Sequence, residues 1–296
     1  LPTIHASDLM IHDPFFGGRC FPQPRKEGDF VGKVFDEKEN TIEDHEKILT
    51  EYLQNTKNEI YLHHHLGLGD HLDCNGMARS FAHEYRYDKV HVFAKSKYAD
   101  LIRFMYRDEE KINVIEIPGD NEHLEVANYI QNKGVKKFVS VGHSNYPWGQ
   151  EEKLGLGCAE IFYILVNMSY DIRFKNFYFE REAHEEQRVY EKLNPTNEDY
   201  VFVHDDPSRG FTITDEKVYE LAGKQIKIIR NDMEENLFHF TKILENAKQI
   251  HCMESCFRSL VETTQVKGEL FFHNFREGAS GFLGNSTIQP WKEINW

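Results

Sequence analysis

No CxxC pair occurs in this chain, and its five cysteines, Cys20, Cys74, Cys158, Cys252 and Cys256, are odd in number. Neither a disulfide framework nor a zinc ribbon is expected; reduced thiols in a cytoplasmic setting are. No G-x-x-x-x-G-K-[ST] run is present, which excludes a P-loop kinase at the level of motif. The most apolar stretch, 154–168, contains Glu160 and falls short of the ~20 residues that span a bilayer, so no transmembrane segment is expected. No signal-peptide pattern, internal repeat or low-complexity segment is visible. Basic residues are in deficit, 35 Lys+Arg against 49 Asp+Glu, for a net charge of -14. Nucleic-acid binders normally carry a basic face, so that class of partner is not expected, although local basic pockets for phosphate are compatible with the balance.

What remains is an ordinary globular composition, 40% hydrophobic and 28% charged. A length of 296 residues corresponds to roughly two domains. The stretch 12–25 is dense in Pro and Gly and reads as loop. Thr41 and Asp44 resemble a capping box ahead of a helix carrying Ile42, Leu49, Tyr52 and Leu53. From residue 59 a strand–helix rhythm sets in: strands at 59–63, 89–94, 113–117 and 137–141, with helices at 70–86, 97–106, 124–130 and 151–168. The segment 172–180 (IRFKNFYFE) alternates like a strand and 181–193 reads as a charged helix. The rhythm then resumes, with strands at 200–204, 225–229, 249–253 and 269–273 and helices at 215–222, 237–247 and 254–264. This pattern predicts an α/β protein with two Rossmann-like domains facing a cleft. The expected units are an N-terminal extension and helix (1–58), a first Rossmann-like domain (59–170) and a second (171–296). A tail bearing Pro290, Trp291 and Trp296 is expected to pack back on the body.

Ligands of open α/β sheets bind beyond the carboxyl ends of the strands, so the residues there are the candidates. The sharpest segment is 63–76, HHHLGLGDHLDCNG, which follows a strand and opens a helix. Gly67 and Gly69 permit a tight turn and close backbone approach, and Asp70 is placed either to accept a proton or to cap the helix. His65, His71 and, after a later strand, His143 accompany it. A dinucleotide fingerprint needs a third glycine where Leu72 stands. A metal site built on His63, His65, Asp70 and His71 resembles His-x-His-x-Asp-His, but three extra residues separate the pairs. After the 200–204 strand come His204 and Arg209, which could meet a diphosphate or simply form a surface turn. Arg230 ends the next strand. Glu254, Ser255, Cys256 and Phe257 open a helix after the 249–253 strand, where Ser255 suits phosphate or capping and Glu254 a ribose hydroxyl.

Together these positions resemble glycosyltransferases of the GT-B fold. Gly69-Asp70 is similar to the glycine-rich loop of the heptosyltransferase-like group, in which the Asp is the general base. His204 and Arg209 are similar to the fucosyltransferase-like branch, and 254–257 fall where such enzymes grip the nucleotide. The resemblance implies an inverting, metal-independent sugar transfer from a nucleotide-sugar co-substrate to a glycan or glycoconjugate hydroxyl, with no separate cofactor. Asp70 would be the base, and His204, Arg209, Arg230 and residues 254–257 the donor site. The alternatives are a sugar-nucleotide epimerase or hydrolase of the same fold, a metal-dependent hydrolase using His63, His65, Asp70 and His71, and a non-enzymatic sugar- or nucleotide-binding module.

Overall fold

The computed structural model describes residues 58–142, 156–275 and 287–296. The helix expected near 41–53, the stretch 12–25, Cys20 and His143 lie outside them.

The first sheet is built from β1 (Glu59–His63), β2 (Lys89–Lys95), β3 (Ile112–Ile117) and β4 (Phe138–Ser140). Its order is β3-β2-β1-β4 and every pairing is parallel. Parallel neighbours need crossovers, supplied here by α1 (Leu68–Asp73), α2 (Asn75–His83), α3 (Ser96–Met105) and α4 (Glu122–Lys133). Helix α4 shows why the sequence stops and starts where it does. Asn121 accepts the Leu124 N–H at its head, Glu122 and Glu125 sit in its first turn, and Gly134 closes it at φ 58°.

A connecting region follows, holding α5 (Cys158–Leu165), α6 (Ile172–Lys175) and α7 (Ala183–Leu193). The second sheet comprises β5 (Tyr200–His204), β6 (Lys227–Arg230), β7 (Gln249–Cys252), β8 (Glu269–Asn274) and β9 (Trp291–Asn295), in the order β6-β5-β7-β8-β9, again all parallel. Helices α8 (Asp215–Ala222), α9 (Thr241–Asn246) and α10 (Cys256–Val261) connect them. The C-terminal tail thus does more than pack back: it adds a fifth strand against β8.

The strand expected over 172–180 is not formed. Residues 172–175 are helical. The Asn75 side chain then bonds both backbone groups of Tyr178, donating to its carbonyl and accepting its N–H, each at 3.0 Å. One amide thereby supplies the pairing that a neighbouring strand would have given. The expected helix over 70–86 is two helices meeting at Cys74, and 237–240 is a 3-10 turn ahead of α9.

The main core is one cluster that runs through both halves, from Ile60, Leu62 and Val92 to Phe202, Phe240 and Ile250. Smaller clusters lie on the opposite faces, around Phe93, Ile117 and Val126 in the first sheet and around Val201, Val203 and Val218 in the second. Sheets covered on both faces explain why YVFVH is apolar without alternation.

Candidate active site

Strand order fixes where ligands can approach. In the first sheet β2 and β3 lie to one side of β1 and β4 to the other, so the topological switch point falls between β1 and β4. In the second it falls between β5 and β7. Crevices open at the carboxyl ends of such strands. The first crevice carries the loop from His63 to Asp70, and the second carries 204–209 and 253–257. The sequence candidates therefore cluster at both switch points.

In the first loop, the His64 Nδ1 accepts the Leu66 N–H at 3.1 Å. Leu66 has φ 55° and a fully buried side chain. A left-handed leucine costs about 1–2 kcal/mol, and its burial holds the chain in that turn. Asp70, the third residue of α1, reaches back so that its Oδ2 accepts the Gly67 N–H at 3.0 Å. A Cβ on Gly67 would stand 2.5 Å from that oxygen, so glycine is required for the carboxylate's position. Asp70 is partly exposed, yet burial raises its pKa to about 7, with Asp73, Glu254 and Glu122 adding repulsion and the Gly67 N–H opposing. Such a carboxyl exchanges a proton near neutrality.

His71 faces the other way. It is buried, its ring meets His64 edge-on at 4.4 Å, and neither ring nitrogen has a hydrogen-bond partner among the described residues. Burial, then Lys95, lowers its pKa to about 3, so it is a neutral packing residue. His63 is buried and stacks on His123 and Phe138. His65 is partly exposed and packs edge-on against Phe162 at 5.2 Å. The expected metal set of His63, His65, Asp70 and His71 is therefore not formed, because His63 and His71 pack into the body instead of converging on His65 and Asp70. Among the described residues the one group with converging ligand atoms is His65, Asp70 and Cys158, all within 4.8 Å of one another. Cys158 stands 88 positions beyond Asp70, and no local pattern announces it.

At the second switch point His204 bonds through Nδ1 to the Asn231 Oδ1 at 2.7 Å, and burial lowers its pKa. In the neutral ring Nδ1 then carries the proton and Nε2 is left as an acceptor. Arg209 lies in the 3-10 turn Pro207–Arg209, half exposed, with Nε on the Asp206 Oδ2 at 2.5 Å. Arg230 is committed locally: it donates to Asp205, Asp215 and the Ile213 carbonyl at 2.8–2.9 Å. Ser255 caps α10, its Oγ accepting the Arg258 N–H at 3.5 Å. Phe257 belongs to the core beside Phe202, Phe240 and the His204 ring. Burial pushes the Cys256 thiol up to about 12, which removes it as a nucleophile.

The two switch points meet. A Cβ on Gly69 would stand 3.7 Å from the Cys256 N and from the Ser259 Oγ, so α1 and α10 pack head to head. Asp70 and Glu254, 184 positions apart, feel each other's charge there. The sequence did not single out the Asp73–Arg173 ion pair or the Lys95–Glu122 pair, which flank the same place.

No family's sequence pattern matches this chain, and no curated protein matches it. Solved structures do. The chain superposes on the glycosyl transferase family 9 protein of Veillonella parvula with a TM-score of 0.51 at 8% identity, over 80% of this chain and 86% of that one. It also matches the ADP-heptose LPS heptosyltransferase II of E. coli, with 0.47, 10%, 80% and 90% in the same order. A bacterial iron-containing dodecameric glycosyltransferase from enterotoxigenic E. coli gives 0.45, 12%, 72% and 57%. The first of these carries the fold assignment, which is the GT-B type. Among the described residues no helix is long and apolar enough to cross a membrane.

Proposed function

We propose that this chain, which has the fold of a GT-B glycosyltransferase, moves a sugar from a nucleotide-sugar donor to an acceptor hydroxyl with inversion. The observation that carries the reading is Asp70: a partly exposed carboxyl at one switch point, poised near neutrality, facing the helix that opens the other. Two Rossmann-like units, 59–170 and 171–296, would present acceptor and donor respectively.

The Gly67 N–H occupies the Asp70 Oδ2 and leaves Oδ1 for the acceptor. As the acceptor O–H gives its proton to Oδ1, the oxygen attacks the anomeric carbon from the face opposite the leaving group. The bond from that carbon to the diphosphate oxygen breaks, and the nucleoside diphosphate departs with the electron pair. Attack from the opposite face inverts the anomeric centre. Arg209, exposed and among the described residues ion-paired within its own turn to Asp206, would meet the diphosphate; Arg230 would first have to leave Asp205 and Asp215. His204, through Nε2, would accept a donor hydroxyl, and Glu254 a ribose hydroxyl. No step requires a metal.

A positioned base supplies about 10²–10⁴-fold. Asp70→Asn is expected to lower nucleoside diphosphate release by that factor, and unchanged turnover would overturn the assignment. A thermal-shift panel of nucleoside diphosphates and sugar nucleotides, in chelator throughout, identifies the donor. A ligand at 100 times its Kd adds about 2.7 kcal/mol, a shift of several degrees. No shift with any member, read beside normal folding, sinks the transferase reading.

A further inference from the structure

His65, Asp70 and Cys158 come from three elements: the β1–α1 loop, α1 and the head of α5. Their ligand atoms lie within 4.8 Å of one another and all three residues are partly exposed. Zinc binds Cys, His and carboxylate at about 2.0–2.3 Å, so atoms sharing one tetrahedral ion sit up to roughly 3.8 Å apart. Bringing the trio to that spacing requires a shift of about 1 Å at the ligand atoms.

The site is also braced. The Gly67 N–H fixes one oxygen of Asp70, as outer-shell donors do for metal-bound carboxylates. The His65 ring lies in a seat formed by Phe162 and Gly142, and a Cβ on Gly142 would stand 2.5 Å from its Cδ2. A sulfur, an imidazole nitrogen and one carboxylate oxygen form a borderline-soft set that selects zinc over magnesium or calcium. Three protein ligands leave a fourth position for water.

We infer that His65, Asp70 and Cys158 bind a divalent ion of the zinc type, and that this ion inhibits transfer by occupying the carboxylate that removes the acceptor proton. The inhibition rests on the proposed role of Asp70, whereas the metal site stands on its own geometry. Transfer runs in the metal-free protein. Zinc takes the Asp70 lone pair, and a chelator restores it.

Cobalt(II) is the probe, added to the full chain after removal of chelator. A thiolate-to-cobalt charge-transfer band, displaced by one equivalent of zinc, is the expected result. Loss of an outer-shell partner alone costs about 10–100-fold in metal affinity, so Cys158→Ser is expected to weaken cobalt binding by more than that and to abolish the band. His65→Gln is a second variant with the same expected loss of affinity. Turnover of Cys158→Ser in chelator equals that of the wild type, and zinc no longer inhibits it. The site is overturned by a cobalt spectrum without the thiolate band, or by unchanged affinity in Cys158→Ser. The inhibitory role is overturned if zinc leaves wild-type turnover unchanged or raises it. If no sugar nucleotide is turned over, the transferase reading fails while the cobalt spectrum still decides the metal site.

Discussion

Gly67 and Asp70 act as one unit, in which a backbone N–H and the lack of a side chain hold a carboxylate where its proton is exchangeable. Gly67→Ala places a methyl group where the Asp70 Oδ2 now sits, so the carboxylate must turn away. The expected outcome is a fall in kcat approaching that of Asp70→Asn, with an unchanged circular dichroism spectrum. Full activity in Gly67→Ala would show that the carboxylate's position does not matter. The pH dependence follows from the same residue. A base must be ionised, and the Asp70 pKa is about 7, so kcat/KM in chelator rises with pH to a plateau above that value. A flat profile across neutrality argues against Asp70. Stability runs the other way. The folded pKa exceeds the ordinary 3.8, so the protonated form is favoured by folding and that contribution is lost as pH rises through about 7. The displacement corresponds to at most roughly 4 kcal/mol, which partial exposure reduces. Asp70→Asn is therefore expected to raise the thermal midpoint by a few degrees at pH 8 while lowering turnover by about 10²–10⁴-fold. A lower midpoint would mean that the carboxylate is structural.

Among the elements, the strand–helix alternation was legible because a doubly wound sheet repeats one simple pattern, and the loops after β1, β5 and β7 could be named as site loops from strand ends alone. The region 172–182 was not legible, because its conformation is imposed from outside. Its alternation suits a strand, but the Ile172 carbonyl lies 2.4 Å from where a Cβ on Gly76 would stand, and Arg173 is held by Asp73 at 2.5 Å and by the Tyr170 hydroxyl. A buried ion pair in sequence-distant elements leaves no periodic trace. It ties α6 to α1, the helix that carries Asp70. Removing one member of such a pair strands a buried charge and costs about 3–5 kcal/mol. Arg173→Met is expected to lower stability by that amount in urea titration. The double variant with Asp73→Leu is expected to recover part of the loss, as coupled sites do. Additive losses in the double-mutant cycle would show that the pair is not coupled. Cys158 escaped the sequence for the same reason: its partners His65 and Asp70 are joined to it by the fold, not by spacing.

At the scale of the molecule, a core shared by both sheets and three buried neutral histidines set the response to acid. Burial lowers His71 and His251 to about 3 and His273 to about 4. The last two are wired together: the Trp296 Nε1 donates to the His273 Nδ1 at 3.2 Å, His273 bonds through Nε2 to the His251 Nδ1 at 2.9 Å, and the His251 Nε2 meets the Gln249 Oε1 at 3.3 Å. An indole N–H can only donate, so the polarity of the chain is fixed. Protonating either ring there adds a donor where an acceptor is needed. Because these folded pKa values lie below the ordinary 6.5, the stability they confer is complete above pH 6.5 and is lost as pH falls below it. Between about pH 6.5 and 4 the unfolded chain binds three more protons at these sites while the folded chain binds one more at Asp70. The difference of two from these four groups corresponds to roughly 2.7 kcal/mol of stability lost per pH unit, and the lowered His204 acts in the same direction. Because the main cluster runs through both sheets, that loss is expected in one cooperative transition rather than in two. Calorimetry across this window checks both points. His251→Gln is expected to shallow the pH slope by removing one titrating ring, and a slope as steep as that of the wild type would show that the wire does not govern acid stability.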